Sequence, residues 1–238
     1  MIGIYGGTFN PIHVGHLRAA EEVVEALDLE QMLFVPSARP PHKPGRSASI
    51  APAEHRLSWV ECAIRGNPRF VADDIEVRRP GPSYLVDTLR ALRSRYGAGP
   101  GLFFVVGQDA FSEMGSWRTP REIFRLVHVA VTTRPPVLSG GLGDWLPECV
   151  REDFVVAPDG ARAEHRDAGT TIRQVPITAL DVSASAIRER IREGRSIRYL
   201  VPDDVRAAIV ASGVYADAAP CEAEGTERGA RRATGGEH

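Results

Sequence analysis

Two histidines, His13 and His16, stand three residues apart, shortly after the glycine pair Gly6-Gly7 and at the point where a helical pattern opens near Gly15. That spacing lets both imidazoles point to one place. Glycines let backbone amides approach a phosphate closely, and a helix N-terminus favours an anion, so phosphate binding is one chemistry open to this set. A metal site is the other, because neutral imidazole is a common ligand. Further along, Arg39, His42 and Lys43 occupy a proline-rich loop, a semi-rigid arm of positive charge or simply a solvated loop. Gly107 and Asp109 close the most apolar run of the chain. They suit ribose hydroxyls or magnesium, or the acid caps the next helix. Ser183, Ser185 and Arg188 open a late helical pattern, where serines make an ordinary N-cap and arginine is a multi-donor clamp for anionic oxygens.

These groups lie far apart in sequence, so a sheet must gather them. Met1 to Tyr5 reads as a strand, Leu17, Ala20, Val24 and Leu27 as one stripe of a helix, and residues 31–35 as a second strand. The economical arrangement is a right-handed βαβ unit, with ligands beyond the carboxyl ends of the strands. Residues 52–63 read as a helix. Residues 70–78 are strand-like, in two pieces around Asp73-Asp74. Ser83 is a plausible N-cap for a helix through Leu85, Leu89 and Leu92. Residues 102–106 form a strand covered on both faces, followed by a short turn or helix over 111–117 and a helix over 121–124. Strands follow at 127–131, 154–157 and 172–175, with 160–169 a charged loop, and helices at 183–191 and 205–211. The expected fold class is α/β, a doubly wound and mostly parallel sheet over residues 1–215, with a small C-terminal helical part at 182–215. After Tyr215 nothing can build a core, so 216–238 is expected to be disordered.

Composition narrows the class. A chain of 238 residues, 43% apolar, can bury one sizeable core. It has no run of eighteen apolar residues and no basic-then-apolar leader, so neither a membrane span nor secretion is expected. Three cysteines, Cys62, Cys149 and Cys221, are widely spaced, which suggests a reducing, cytoplasmic setting and argues against structural zinc. A net charge of −2 implies no general polyanion-binding surface, and no nucleic acid partner is expected.

The run Gly6-Gly7-Thr8-Phe9-Asn10-Pro11-Ile12-His13-Val14-Gly15-His16 resembles the phosphate-binding segment of the nucleotidyltransferase superfamily marked by His-x-Gly-His, and most closely that of bacterial nicotinate mononucleotide adenylyltransferases. Pro-Pro-His-Lys (His42, Lys43), the His55-Arg56 pair, Pro-Ser-Tyr-x-x-Asp-Thr-Leu (Ser83, Tyr84, Thr88), Gly107-x-Asp109, Trp117 and Arg134-Pro135 follow in the family's order. Val182-Ser183-Ala184-Ser185-Ala186-Ile187-Arg188 resembles the second superfamily mark, with Ser185 in place of threonine. Where many relatives carry another aromatic after the tryptophan, Arg118 and Thr119 stand here.

The resemblance implies a Rossmann-like fold, ATP and nicotinate mononucleotide as substrates, magnesium carried mainly by the ATP phosphates with no protein metal site, and a monomer or homodimer. It assigns catalysis to His16, His13, Lys43 and Arg188. It assigns ATP and its phosphates to Gly6, Gly7, Thr8, Phe9, Gly15, Gly107, Asp109, Ser183, Ser185 and Ile187. It assigns the mononucleotide to Asn10, His42, Arg56, Ser83, Tyr84, Thr88, Trp117 and Arg134. A nicotinamide mononucleotide adenylyltransferase is the nearest rival, and a non-catalytic nucleotide sensor a more distant one. A dinucleotide-binding dehydrogenase is disfavoured, because Gly-x-Gly-x-x-Gly is absent after the first strand.

Overall fold

In the computed structural model of the chain, residues 1–40, 50–97, 101–134 and 140–215 are described. The expected arm with His42 and Lys43, and the expected disordered tail, lie outside them. Strand β1 (Ile2–Gly7) leads through α1 (Val14–Leu27) to β2 (Gln31–Pro36), then α2 (Ala53–Ile64), β3 (Phe70–Ala72), α3 (Ile75–Arg78) and α4 (Leu85–Tyr96). Next come β4 (Leu102–Gly107), α5 (Gln108–Glu113), a 3₁₀ turn (Met114–Ser116), α6 (Pro120–Leu126) and β5 (His128–Thr133). The chain continues with α7 (Leu142–Trp145), α8 (Glu148–Arg151), β6 (Phe154–Val156), β7 (Arg162–His165), β8 (Thr171–Pro176), α9 (Ala184–Arg192) and α10 (Asp203–Ser212).

The strands form a single sheet in the order β3-β2-β1-β4-β5-β8-β7-β6. From β3 to β8 all pairs are parallel, and β7 and β6 add an antiparallel edge. Side chains alternate between the faces of a strand. Ile2, Ile4, Leu33, Val35, Phe104 and Val106 therefore pack with Val86 and Leu89 of α4 and with Ile123 of α6. Met32, Phe34, Phe103 and Val105 pack on the other face with Val23 of α1, Trp59 of α2, Ile187 of α9 and Ile209 of α10. Helices thus cover both faces, as a doubly wound sheet requires. The strand order reverses between β1 and β4, where such sheets open a crevice for ligands.

Three local expectations change. Residues 70–78 are not two strand pieces: Phe70–Ala72 is a strand, but Ile75–Arg78 makes one helical turn. Asp73 starts it, its Oδ1 accepting the Ile75 N–H at 3.0 Å, a local side-chain bond that competes with strand pairing. Ser83 does not cap α4, since Tyr84 holds the N-cap position. The Ser83 hydroxyl instead accepts the Ala38 and Arg39 amides at 3.0 and 3.2 Å. The charged segment 160–169 contains β7, with Ala163 and His165 buried and Arg162 and Glu164 exposed. Pairing on both sides, with β6 and β8, holds this weakly apolar strand in place. Residues 154–165 thus extend the sheet edge.

Among the described residues no helix is long and apolar enough to cross a membrane.

Candidate active site

Two cavities flank the carboxyl end of β1. The larger, about 570 Å³, is walled by the first turns of α1, α5 and α9 and by the ends of β5 and β8. His13, Gly15, His16, Gly107, Asp109, Ser183 and Arg134 all reach it. The smaller, about 180 Å³, lies on the β2 side and takes Gly6, Gly7 and Thr8 with Ser83, Tyr84 and Trp117.

In the larger cavity, the loop between β1 and α1 turns through a cis Asn10-Pro11 peptide and a left-handed Phe9. Phe9 is buried there, and its ring fills the space that a Cβ on Gly7 would need, at 2.9 Å. The edge of Phe9 meets the His16 ring with centroids 5.2 Å apart. His13 stacks on His16 at 3.7 Å. His16 Nδ1 accepts the His13 backbone N–H at 3.2 Å, so the ring proton sits on Nε2. Burial pushes the His13 pKa down to about 4 and that of His16 to about 3, the neighbouring His13 adding to the latter. Both rings are neutral at pH 7 and His16 is a hydrogen-bond donor there. Gly15 packs closely here: a Cβ would stand 3.1 Å from His13 Nδ1 and press on that ring.

The other half of the site comes from α9. Ser183 caps it by accepting the Ala186 N–H at 3.2 Å. The first turns of α1 and α9 therefore present amides and positive dipole ends to one cavity, an arrangement that suits an anion. Arg188 joins the two distant segments: it donates to the Asn10 carbonyl at 2.7 Å and to Ser185 Oγ at 3.1 Å.

In the smaller cavity Tyr84, Trp117 and Phe104 supply aromatic surface. Glu76 supplies a carboxylate, buried and held by the Thr88 hydroxyl, which donates to it at 2.6 Å. Burial raises the Glu76 pKa, opposed by its hydrogen bonds from Thr88 and Ser83 and by the nearby Arg79 and Arg56.

Several expected ligands do not line either cavity. Arg56 is 1% exposed and donates to the carbonyls of Ala51, Thr8 and Ala38. It is a brace between loops, and the exposed His55 beside it faces neither cavity. The Asn10 Oδ1 accepts the Ala51 amide and the Tyr215 hydroxyl. Thr88 is buried beneath Glu76 and accepts from Arg79 at 2.8 Å. The Ile187 and Phe9 side chains belong to the core. Ser185 is exposed, and both it and the Arg188 that bonds to it stand outside the two linings. Arg134, expected at the mononucleotide, reaches the histidine cavity instead, because β5 ends on that side of the crevice. Gln108, Thr132 and Thr178 also line that cavity, beyond the residues the sequence singles out. Gln108 and Thr132 could have been found by asking what stands at the ends of central strands. Glu76 gave no signal, since it sits where a strand was expected.

The chain is similar to known proteins over most of its length. The cytidylyltransferase-like family model matches residues 4–190. The probable nicotinate-nucleotide adenylyltransferase of Trichlorobacter lovleyi is 45% identical over 216 residues, covering 90% of this chain and 98% of that protein. Its counterpart in Geotalea uraniireducens is 44% identical over 217 residues, covering 91% and 99%. Among solved structures, the Plasmodium falciparum nicotinic acid mononucleotide adenylyltransferase complexed with APC shares the fold, with a TM-score of 0.66 at 14% identity over 90% of this chain and 96% of that one. The chain therefore belongs to the cytidylyltransferase-like family, and within it to the nicotinate-nucleotide adenylyltransferases.

Proposed function

We infer that the protein transfers the adenylyl group of ATP to the 5′-phosphate of nicotinate mononucleotide, giving nicotinate adenine dinucleotide and pyrophosphate in the synthesis of NAD. Family membership supplies the reaction. The observation in the fold that carries it is the pair of cavities flanking the end of β1, one suited to a polyphosphate and one to a flat ring.

An oxygen of the 5′-phosphate attacks the α-phosphorus of ATP in line. The bond from that phosphorus to the bridging oxygen breaks, and pyrophosphate leaves with the electron pair. A phosphate is already anionic at pH 7, so no general base is needed. The work is positioning and stabilisation of charge. His16 donates its Nε2–H to the α-phosphate, and the amides at the start of α9 with Ser183 hold the distal phosphates. Arg188 spans the two segments. His13, Lys43 and the amides near Gly15 add donors. Magnesium, which nucleotidyltransferases of this kind generally use, would neutralise phosphate charge. Asp109 is the carboxylate that the described residues bring to this wall, and it would hold such an ion together with the phosphates. The cysteines, none in a metal or redox motif, fit a cytoplasmic enzyme.

Supplying ATP and magnesium with either mononucleotide in parallel tests the reading. A higher kcat/KM for nicotinate mononucleotide supports it, and preference for the amide substrate would overturn the named reaction while leaving the fold intact. In the same assay, Arg188→Ala lowers kcat/KM for ATP about tenfold or more, by loss of charge-assisted bonds. Normal steady-state constants in both directions would count against that role.

A further inference from the structure

We propose that Arg118 reads the carboxylate of the mononucleotide, and so sets the choice of the acid over the amide nucleotide. The assignment rests on the reaction inferred above and concerns the ring end of the substrate, away from the phosphates.

The residues after the 3₁₀ turn place Arg118 at the smaller cavity. Trp117 is extended and Thr119 is left-handed, with φ of 51°, so the chain turns sharply here. Both Trp117 and Arg118 then line the cavity. The Arg118 guanidinium carbon lies 4.7 Å from the centre of the Tyr84 ring. A flat heteroaromatic ring entering this cavity beside Trp117 would bring its substituent toward this cation.

The charge of Arg118 is little used by the protein. Its ion contact is Asp87 at 3.9 Å. Asp87 already accepts from Arg90 at 3.0 Å, and Arg90 donates to both carboxylate oxygens of Glu122, at 2.7 and 2.6 Å. Asp87, Arg90 and Glu122 thus satisfy one another, and Arg118 stands with 55% of its side chain exposed.

Apart from the Tyr84 phenol, the other titratable group on the cavity wall is an acid. Glu76 lines it, held by Thr88 and 3.9 Å from Arg79. Without Arg118, a substrate carboxylate would meet only this acid among the charged side chains of the described lining. With it, a planar fork of donors matches two carboxylate oxygens. An amide offers one acceptor and two donors, and donors facing a guanidinium go unpaired, which discriminates by repulsion as well as attraction.

The test compares wild type, R118Q and R118K with ATP-magnesium and each mononucleotide. In R118Q, kcat/KM for the nicotinate substrate falls about tenfold, mostly through KM, while that for the nicotinamide substrate changes less than about twofold. R118K, which keeps the charge and loses the fork, recovers part of the ratio. Equal losses for both substrates, or no loss, would overturn the assignment while the wild-type activity keeps the reaction standing. Wild-type protein that turns over neither substrate, or prefers the amide, overturns the reaction and this assignment with it.

Discussion

Replacing His16 by alanine lowers kcat by about a hundredfold or more with both substrates saturating, the size expected when one preorganised donor to a developing charge is removed. The donor is preorganised here by identifiable contacts. The ring is edged by Phe9 and Tyr5, stacked on His13, and fixed in tautomer by the His13 amide on Nδ1. It need not reorient as charge grows on the α-phosphate. Losing the Nδ1 bond also removes part of the start of α1, at a cost of about 1 kcal/mol, so the variant stays folded and its melting temperature serves as control. The pH profile separates a neutral donor from an imidazolium. The pKa of His16 in the free protein is lowered to about 3, so the ring is already deprotonated from pH 5 to 9. On that basis kcat/KM does not fall as pH rises through 6.5. A tenfold decline per pH unit above 6.5, absent in His16→Ala, would show that the active form is charged. An unchanged kcat in the alanine variant would remove His16 from the chemistry altogether.

What could be read from the sequence follows from how each signal is encoded. Runs such as Leu102 to Val106 and Val129 to Val131 are buried on both faces, so their apolar continuity marks them as central strands. The βα connections after β1 and β4 carry glycine and polar residues where a doubly wound sheet must bind ligands, and His13, His16, Gly107 and Asp109 are found there. Two kinds of information were hidden. One is which side of the crevice a residue joins. Arg134 ends a strand beyond the switch point and so meets the histidines, a matter of strand order that its neighbours in sequence do not carry. The other is structure too short or too weakly apolar to show a period. Ile75–Arg78 is a single turn, and β7 buries only alanine and histidine. Glu76, in that single turn, walls the ring cavity with no pattern around it in sequence to mark it.

Arg56 shows the same limit in a single side chain, and its replacement carries the largest expected effect on stability. A charge one turn into α2 reads as a surface group or a ligand. In the fold it is buried, and its guanidinium donates to the carbonyls of Ala51 at 2.8 Å, Thr8 at 2.7 Å and Ala38 at 3.3 Å. These carbonyls belong to two connections: Thr8 lies in the one that carries Gly6-Gly7-Thr8 into the site, and Ala38 and Ala51 stand near the two ends of the one between β2 and α2, which Ser83 braces at Ala38 and Arg39. Arg56→Ala strands buried acceptors and empties a large volume, costing about 3 kcal/mol. For a chain of this size that corresponds to a melting temperature lower by about 10 °C. Arg56→Lys recovers little, because an ammonium on a flexible stem does not reproduce the planar fork that reaches carbonyls in different directions. Activity falls as well, through a raised KM for both substrates, since Thr8 borders the ring cavity and its loop runs on to His13. Thermal denaturation with steady-state kinetics on the same preparations checks both parts. A melting temperature within about 2 °C of wild type would show that the loops hold without the brace. A stability loss with unchanged KM values would restrict Arg56 to the fold.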